Sequence, residues 1–329
     1  MNWNFFHLRK DATLYVHFPC FDGVVSGVLS ILFLSKSLHW RFRTIHPVNY
    51  SQQDDWSHLQ LPRRSAVVDF LYHPQADFWA DHHSTTFCSE LMKADFEVRG
   101  HEFRFYDSRA GSCAMLLWQQ LGAFLGPDPR LEEMARWADK IDSASYASVE
   151  EAIFSLHPAI VVSHSLAVDA DGEYCRFLIT LLQKSNLEET AQTSQVQKRF
   201  ITAKALTDAG LDRVGKSISL RGNVAFFEAK SEGVMMNRYA PYCFYPHASY
   251  SVGVVHSKSG TKITAMRNPW LNFESAHLGQ FMRKFGGGGH QRVGSVILPN
   301  ATNSQVSEIV PELLHELNAS ERETRASRT

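Results

Sequence analysis

The sequence predicts an α/β protein: a parallel-sheet domain with helices on both faces, joined by a long helix to a smaller α+β domain. Three observations predict it. Short β-rich apolar runs alternate with helical stretches through the first half of the chain, the pattern of strands laid parallel with helices packed on the sheet. After residue 170 the chain turns polar and helical, and from 218 it becomes strand-rich. The length, 329 residues, suits two domains at roughly 150 residues each.

The elements follow in order. TLYVHF (13–18) is a strand ended by Pro19. DGVVSGVLSILFLSKSL reads as a helix with Asp22 near its start, a favoured capping position. RFRTIHPV (41–48) is a second strand, and SAVVDF (65–70) a third, buried one with Asp69 near its carboxyl end. FWADHH follows after the loop HPQA. Helices are expected at 111–124, 130–141 and 148–155, and a polar helical connection over 171–217. The second domain, 218–318, holds the strands SISLRG, NVAFFEA, SYSVGVVHS, TKITAMR and SVILP and one amphipathic helix, SAHLGQFMRKF. The tail from 319 is polar and expected to be disordered.

Composition limits the function classes. Apolar residues make up 44% and charged residues 20%, ordinary for a soluble globular protein. A net charge of −1 excludes a global basic field for gripping long nucleic acid, so any polyanion site must be a local pocket. The five cysteines are scattered, odd in number and without a CxxC pair, which argues against a disulfide framework or a structural zinc module. The N-terminus lacks an apolar signal core, and VVSGVLSILFL is too short to span a bilayer. A cytoplasmic location is the expectation.

The stretch WADHHSTTF (79–87) sets the functional question. Side chains alternate along a strand, so adjacent histidines share a face only where the strand has ended. A strand end is where open α/β sheets keep their chemistry. The carboxyl ends of parallel strands share one edge. That edge gathers His17, Cys20 and Asp22 from the first strand and its helix, Asp69 from the third, and Asp81, His82 and His83 from the next. Asp139 and Asp142 end a helix in WADKID. Carboxylates gathered in this way stay ionised only around a cation. Oxygen and imidazole donors favour Mn²⁺, with Mg²⁺, Fe²⁺ and Zn²⁺ as alternatives. A carboxylate shared by two ions about 3.5–4 Å apart is the usual core of a two-metal phosphoester site.

Two further motifs need a reading. Four consecutive glycines, Gly286 to Gly289, followed by His290, carry a large entropic cost unless the backbone must approach something closely. Their N–H groups could cradle a phosphate or carboxylate. GLDRVGKS (210–217) fits a phosphate-loop pattern by letter, but a helix precedes it and a strand follows, the reverse of what that loop requires. It reads as a helix end at Gly210 and the entry to the second domain.

In that order, HFPCFDGVVSG, VVDF, ADHHST and WADKID resemble the four motifs of the DHH phosphoesterase superfamily, and FGGGGHQRVGSVIL resembles the glycine-rich signature of its associated substrate-binding domain. The resemblance covers roughly 12–300. It implies metal ligation by Asp22, by Asp69 bridging two ions, by His82 and by Asp139, with Asp142 as the alternative to Asp139. It implies that His83 supports the site or meets the substrate phosphate and that Asp81 orients an imidazole. Arg267 matches an arginine that, with Gly287, Gly288, Gly289 and His290, would bind nucleotide; Asn268 is a weaker neighbour. One position departs from the family. Cys20 stands where many members carry an aspartate, so it is either a thiolate ligand that favours a softer ion or a small buried filler, and His17 becomes the main anchor of the first ion.

The activity implied is hydrolysis of phosphoester bonds in short oligonucleotides or small nucleotides such as pAp by metal-activated water, with one or two ions per chain. A homodimer is compatible with the resemblance. The rival readings are a nucleotide-binding or regulatory protein with weakened turnover and a phosphatase of a non-nucleotide metabolite.

Overall fold

The computed structural model describes residues 10–100, 102–289, 291–299 and 303–326. The chain divides into two compact units. One comprises the chain to Ser145 together with Leu156–Thr202; the other comprises Tyr146–Ser155 and the chain from Ala203.

The first unit contains β1 (Lys10–His17), α1 (Phe21–Ser37), β2 (Trp40–Val48), a 3₁₀ turn at Tyr50–Gln52, α2 (Gln53–Trp56), β3 (Ser65–Val68), β4 (Phe78–Asp81), α3 (Glu90–Arg99), β5 (Arg104–Tyr106), α4 (Cys113–Leu125) and α5 (Pro129–Asp142). Beyond α6 (Val149–Phe154), which belongs to the second unit, it continues through α7 (Pro158–Leu166), α8 (Gly172–Leu182) and α9 (Leu187–Ala191). Its sheet has the order β2-β1-β3-β4-β5, and every pair is parallel. The order reverses between β1 and β3, and such a switch point leaves a crevice outside the carboxyl ends of the strands.

Alternation along the strands builds a core on each face. Leu14, Val16, Ala66, Val68, Phe78 and Ala80 face α1, α4, α5, α7 and α8. Tyr15, Val67 and Trp79 face the opposite way, onto Trp56 of α2 and Met92 and Phe96 of α3. Each fully buried Val or Leu in these layers contributes about 1.5–3 kcal/mol over an exposed one. α1 is buried along nearly its whole length, so its apolar residues are not confined to one stripe. α5 is amphipathic: Leu131, Met134, Ala135 and Ala138 recur at helical spacing on its buried side. Pro129 opens it, and Asp128 caps it by accepting from Arg130 N–H at 3.0 Å.

α10 (Ser194–Gly215) runs through the division between the units, which falls after Thr202. Gly210 lies inside this helix rather than ending it. A β carbon there would stand 2.0 Å from the carbonyl oxygen of Met235, so the glycine admits a neighbouring backbone. The helix ends at Gly215, and β6 (Ser219–Arg221) follows it.

The second unit continues with β7 (Val224–Lys230), α11 (Ala240–Phe244), β8 (Tyr250–Ser257), β9 (Gly260–Arg267), α12 (Leu278–Arg283), β10 (Gly288–Gly289), β11 (Val293–Leu298) and α13 (Asn303–Ala326). Its sheet order is β10-β11-β9-β8-β7-β6; β7 and β8 are parallel and the other pairs antiparallel. α12 and α13 cover one face through Leu278, Phe281, Met282, Ile309, Leu313 and Leu317. Helix α13 takes in backbone through Ala326, where the polar composition suggested a disordered tail. No helix among the described residues is long and apolar enough to cross a membrane.

Candidate metal centre

The crevice beside the β1/β3 switch point is built from backbone geometry first. β1 ends at His17, and α1 begins four residues later. A β carbon on Gly23 would lie 2.1 Å from the His17 carbonyl oxygen, so only glycine lets the first turn of α1 close onto the strand end. That approach fixes Asp22. Its carboxylate meets the N-terminus of α4 from across the sheet edge, accepting from Cys113 N–H at 2.8 Å and Ala114 N–H at 2.7 Å. The positive end of a helix stabilises such an anion. Ser112 caps the same helix by accepting from Met115 N–H at 3.0 Å.

Asp69 follows β3 with φ of +55°, a conformation that Asp tolerates better than most side chains and that turns the carboxylate out of the strand. Its Oδ2 lies 3.2 Å from His17 Nδ1. His82 and His83 follow β4. Nδ1 of His82 lies 3.1 Å from the carbonyl of Ala110, which fixes that nitrogen as the donor. Nε2 is left facing carboxylates: Asp142 Oδ2 at 3.2 Å, Asp22 Oδ2 at 3.7 Å and Asp69 Oδ1 at 3.8 Å. His83 Nδ1 lies 2.8 Å from Asp81 Oδ1, a contact that orients the imidazole.

Among the described residues, three groups have donor atoms that within each group lie no more than 4.8 Å apart: His17, Cys20 and Asp69; Asp69, His82 and His83; and Asp22, His82 and Asp142. Asp69 and His82 each belong to two of them. Between Asp139 and Asp142, it is Asp142 that meets His82. Asp139 sits against Ser112 Oγ at 3.4 Å, and Gly111 leaves room for its carboxylate, since a β carbon there would lie 2.5 Å from Oδ1.

The electrostatics identify what this arrangement accepts. Asp22 and Asp69 are buried. Burial, with the neighbouring Asp142, raises Asp22 to about 6; burial, with Asp22 and Asp81, pushes Asp69 well above the usual carboxylate range. Burial disfavours the charged form of His82, but Asp142 and Asp22 outweigh it and raise the imidazole to about 9. Burial and the His83 ring lower His17 to about 4. Burial and the surrounding carboxylates raise the Cys20 thiol, so it becomes a thiolate only beside a cation. His82 Nε2 and Asp69 Oδ1 are buried without a hydrogen-bond partner among the described residues. Buried polar atoms without a hydrogen bond are costly, and the carboxylates around them repel one another. A divalent cation converts this repulsion into attraction, and the donor set of carboxylate oxygens and imidazole nitrogens fits one.

Sequence reasoning did not find Tyr50. Its ring stands edge-on to His17 at 5.1 Å and to His83 at 6.0 Å between centroids, at the mouth of the crevice. Nor did it find the part played by Ala110, whose contribution is a backbone carbonyl with no side-chain signature. The α4 N-terminus was legible only as the start of the helix expected at 111–124.

In the second unit, Arg267 is buried; Nη1 donates to Asn268 O at 2.9 Å, and Nη2 donates to Leu271 O at 2.6 Å and Phe273 O at 2.9 Å. Its guanidinium lies 4.4 Å from the centre of the Phe273 ring. Asn268 donates to the carbonyls of Pro246 and Ala248. The glycine run closes α12: Gly286, at φ of +78°, and Gly287 donate to Arg283 O and Met282 O. Gly288 and Gly289 pair with Ser295 and Gly294 of β11. A β carbon on Gly287 or Gly289 would strike β11 backbone, whereas Gly288 has open space beside it. His290 lies outside the described residues.

No protein-family model and no curated protein matches the sequence. Solved structures do match the fold. A pGpG-specific phosphodiesterase, PggH from Vibrio cholerae, superposes with a TM-score of 0.73 at 18% identity, over 94% of this chain and 99% of that one. The DHH domain of a member of the s1p family of ribosomal proteins gives 0.59 at 12%, over 93% and 87%. RecJ from Thermus thermophilus, in complex with Mn²⁺, gives 0.58 at 14%, over 94% of this chain and 52% of RecJ, so this chain spans about half of that protein.

Proposed function

From the fold of the DHH phosphoesterases, which this chain has, we propose that it is a divalent-metal-dependent phosphoesterase that cleaves short oligonucleotides or small nucleotides of pAp or pGpG size. The observation that carries the reading is the buried cluster around His82 Nε2 and Asp69 Oδ1, two polar atoms without a hydrogen-bond partner among the described residues, set in a crevice of carboxylates. Asp22, His82 and Asp142 form one candidate ligand set. His17, Asp69 and, as a thiolate, Cys20 form the other, and Asp69 also groups with His82 and His83, so it reaches the first set through His82, 3.8 Å from its Oδ1. Mn²⁺ or Mg²⁺ suits the first set; a thiolate would draw a softer ion to the second. A bound divalent ion supplies Lewis acidity toward a phosphoryl oxygen and lowers the pKa of water.

The remaining residues do their own part. Asp81 holds the proton of His83 on Nδ1. Nε2 of His83 is then the atom that can exchange a proton with an oxygen of the substrate. The α4 N-terminus keeps Asp22 turned into the crevice. The near-zero net charge suits a small substrate over a long polyanion.

Release of mononucleotide from pGpG, or of phosphate from pAp, with added Mn²⁺ and its loss in EDTA tests the reading. One specific residue favours a rival. Cys20 stands in the second set where many DHH proteins carry a carboxylate, and a protein that binds nucleotide there without turning it over would account for that change. Nucleotide binding with no hydrolysis under Mn²⁺, Mg²⁺, Zn²⁺ or Fe²⁺ would select the rival.

A further inference from the structure

We propose that Tyr50 is a substrate-contacting residue of the crevice: its phenol O–H donates to an oxygen of the phosphoryl group brought against His83. The assignment rests on the phosphoesterase reading.

The backbone places the ring first. β2 ends at Val48, whose carbonyl accepts from Phe18 N–H at 2.9 Å, so the strand end is tied to the residue after β1. Asn49 then caps the 3₁₀ turn. Its Oδ1 accepts from Ser51 N–H at 2.9 Å, and Gln52 Oε1 accepts from Asn49 N–H at 3.1 Å. This reciprocal pair satisfies donors at the start of the turn and sets the backbone of Tyr50.

Packing then fixes the side chain. Tyr50, His17 and His83 form a corner of three rings. Tyr50 lies 5.1 Å from His17 and 6.0 Å from His83 between centroids, and the two imidazoles lie 6.3 Å apart. Every pair in the corner is close to perpendicular, at 72°, 73° and 85°. Behind the Tyr50 ring stands Phe70, the residue after Asp69, at 5.3 Å, and behind Phe70 stands Trp56, at 5.0 Å. Phe70 and Trp56 are buried, whereas Tyr50 is 37% exposed. The ring therefore rests on the core and on two site histidines, with part of it open to solvent at the crevice mouth.

The hydroxyl is the part that this packing does not use, since a phenylalanine would make the same ring contacts. Other tyrosines of the unit have partners: Tyr72 donates to Asp95 Oδ2 at 2.7 Å, and the Tyr174 hydroxyl lies 2.6 Å from Ser165 Oγ. The Tyr50 hydroxyl has none among the described residues. Burial, with the charges of Asp81 and Asp69, raises this phenol above its ordinary range, so it keeps its proton. It is thus a fixed neutral donor set among carboxylates and imidazoles. A hydrogen bond from such a donor to a charged phosphoryl oxygen is of the strong, charge-assisted kind. The phosphoryl group is common to every substrate of the reading, so the contact should not depend on the base.

Tyr50→Phe removes the hydroxyl and keeps the ring. The test compares this variant with the wild type in three measurements: kcat/KM on pGpG and on pAp, binding of inorganic phosphate by calorimetry with Mn²⁺ equimolar to protein, and Mn²⁺ content. We expect phosphate to bind about tenfold more weakly and kcat/KM to fall roughly 10–100-fold on both substrates alike, the usual value of a hydrogen bond to a charged group. Mn²⁺ content and melting temperature should stay at the wild-type level. Wild-type phosphate affinity and kinetics in the variant, or no phosphate binding to the wild type at millimolar concentration, would overturn the contact. A loss on one substrate alone would overturn its placement on the phosphoryl group, and a loss of Mn²⁺ would make the hydroxyl a support of the ligand set instead. Failure of the wild type to hydrolyse either substrate would overturn the phosphoesterase reading, and the phosphate affinities would still decide the contact.

Discussion

His82 Nε2 lies 3.2 Å from Asp142 Oδ2, while the opposite nitrogen of the same ring is tied to the Ala110 carbonyl. The bond to Ala110 sets the ring's orientation and keeps Nε2 turned toward the carboxylate. Histidine ligands are commonly held through their second nitrogen in this way.

Asp142→Asn should therefore lower metal affinity more than Asp139→Asn. Loss of a residue that merely orients a ligand typically costs about 10–100-fold in affinity or activity. Asp142→Asn should reach at least the top of that range and Asp139→Asn should stay below it. Titration calorimetry with Mn²⁺ on both variants checks the order, and equal losses would mean that Asp139 shares the ligation.

Metal binding should strengthen with pH. Without metal, His82 holds its proton up to about 9 and Asp22 up to about 6. An ion must displace those protons, so apparent affinity should rise about tenfold per pH unit for each proton released. Asp69, also raised, adds to the count. Calorimetry in buffers of different ionisation enthalpy should count at least one proton between pH 6.5 and 9 and more below 6.

The metal-free fold should weaken over the upper part of the same range. A His raised to about 9 contributes stability that is full below 6.5 and lost as pH rises through 9. Asp22, raised from 3.8 to about 6, also costs stability as pH rises between those values. His17, lowered to about 4, acts in the opposite sense between 4 and 6.5. The net fall should be clearest from 6.5 to 9, and the melting-temperature gain from added Mn²⁺ should grow across it. A gain that shrinks with pH would contradict the assignment of His82.

His83→Ala should lower kcat by about 10²–10⁴-fold, the usual value of a positioned acid or base. Asp81→Asn should lower it less, because the imidazole stays but loses its orienting acceptor. Metal content should be retained in both variants, as measured by mass spectrometry. Loss of metal in His83→Ala would make that ring a ligand.

Gly23→Ala should cost about 1–3 kcal/mol of stability, as overpacking of a closed site does, because its methyl would stand 2.1 Å from the His17 carbonyl. Denaturant unfolding measures it. A neutral substitution would mean that α1 can retreat from the strand end, and Asp22 with it.

The sequence made the first half of the chain legible where periodicity was strong. The runs TLYVHF and SAVVDF and the three helices after residue 110 all correspond to observed elements. α3 and β5 were missed; β5 has three residues, too few for a period. Gly210 misled because a mid-helix glycine that admits a neighbouring backbone looks the same in sequence as one that ends a helix. The acids and histidines at the strand ends were readable because parallel topology brings carboxyl ends to one edge. The choice between Asp139 and Asp142 was not, since three residues of helix separate them and only tertiary packing against Gly111 and Ser112 decides which one turns to His82. The glycine run read as a ligand cradle, and three of its four positions have structural causes in α12 and β11.

The central claim is that one carboxylate, Asp69, serves two cation sites. The most direct measurement is metal content per chain by mass spectrometry for wild type and Asp69→Ala, both loaded with Mn²⁺ and assayed on pGpG. We predict about two ions with turnover in the wild type, as in a two-metal phosphoester site, and loss of both ions and of turnover in the variant. A variant that keeps the wild-type ion content and turnover would contradict a shared carboxylate at the centre of the site.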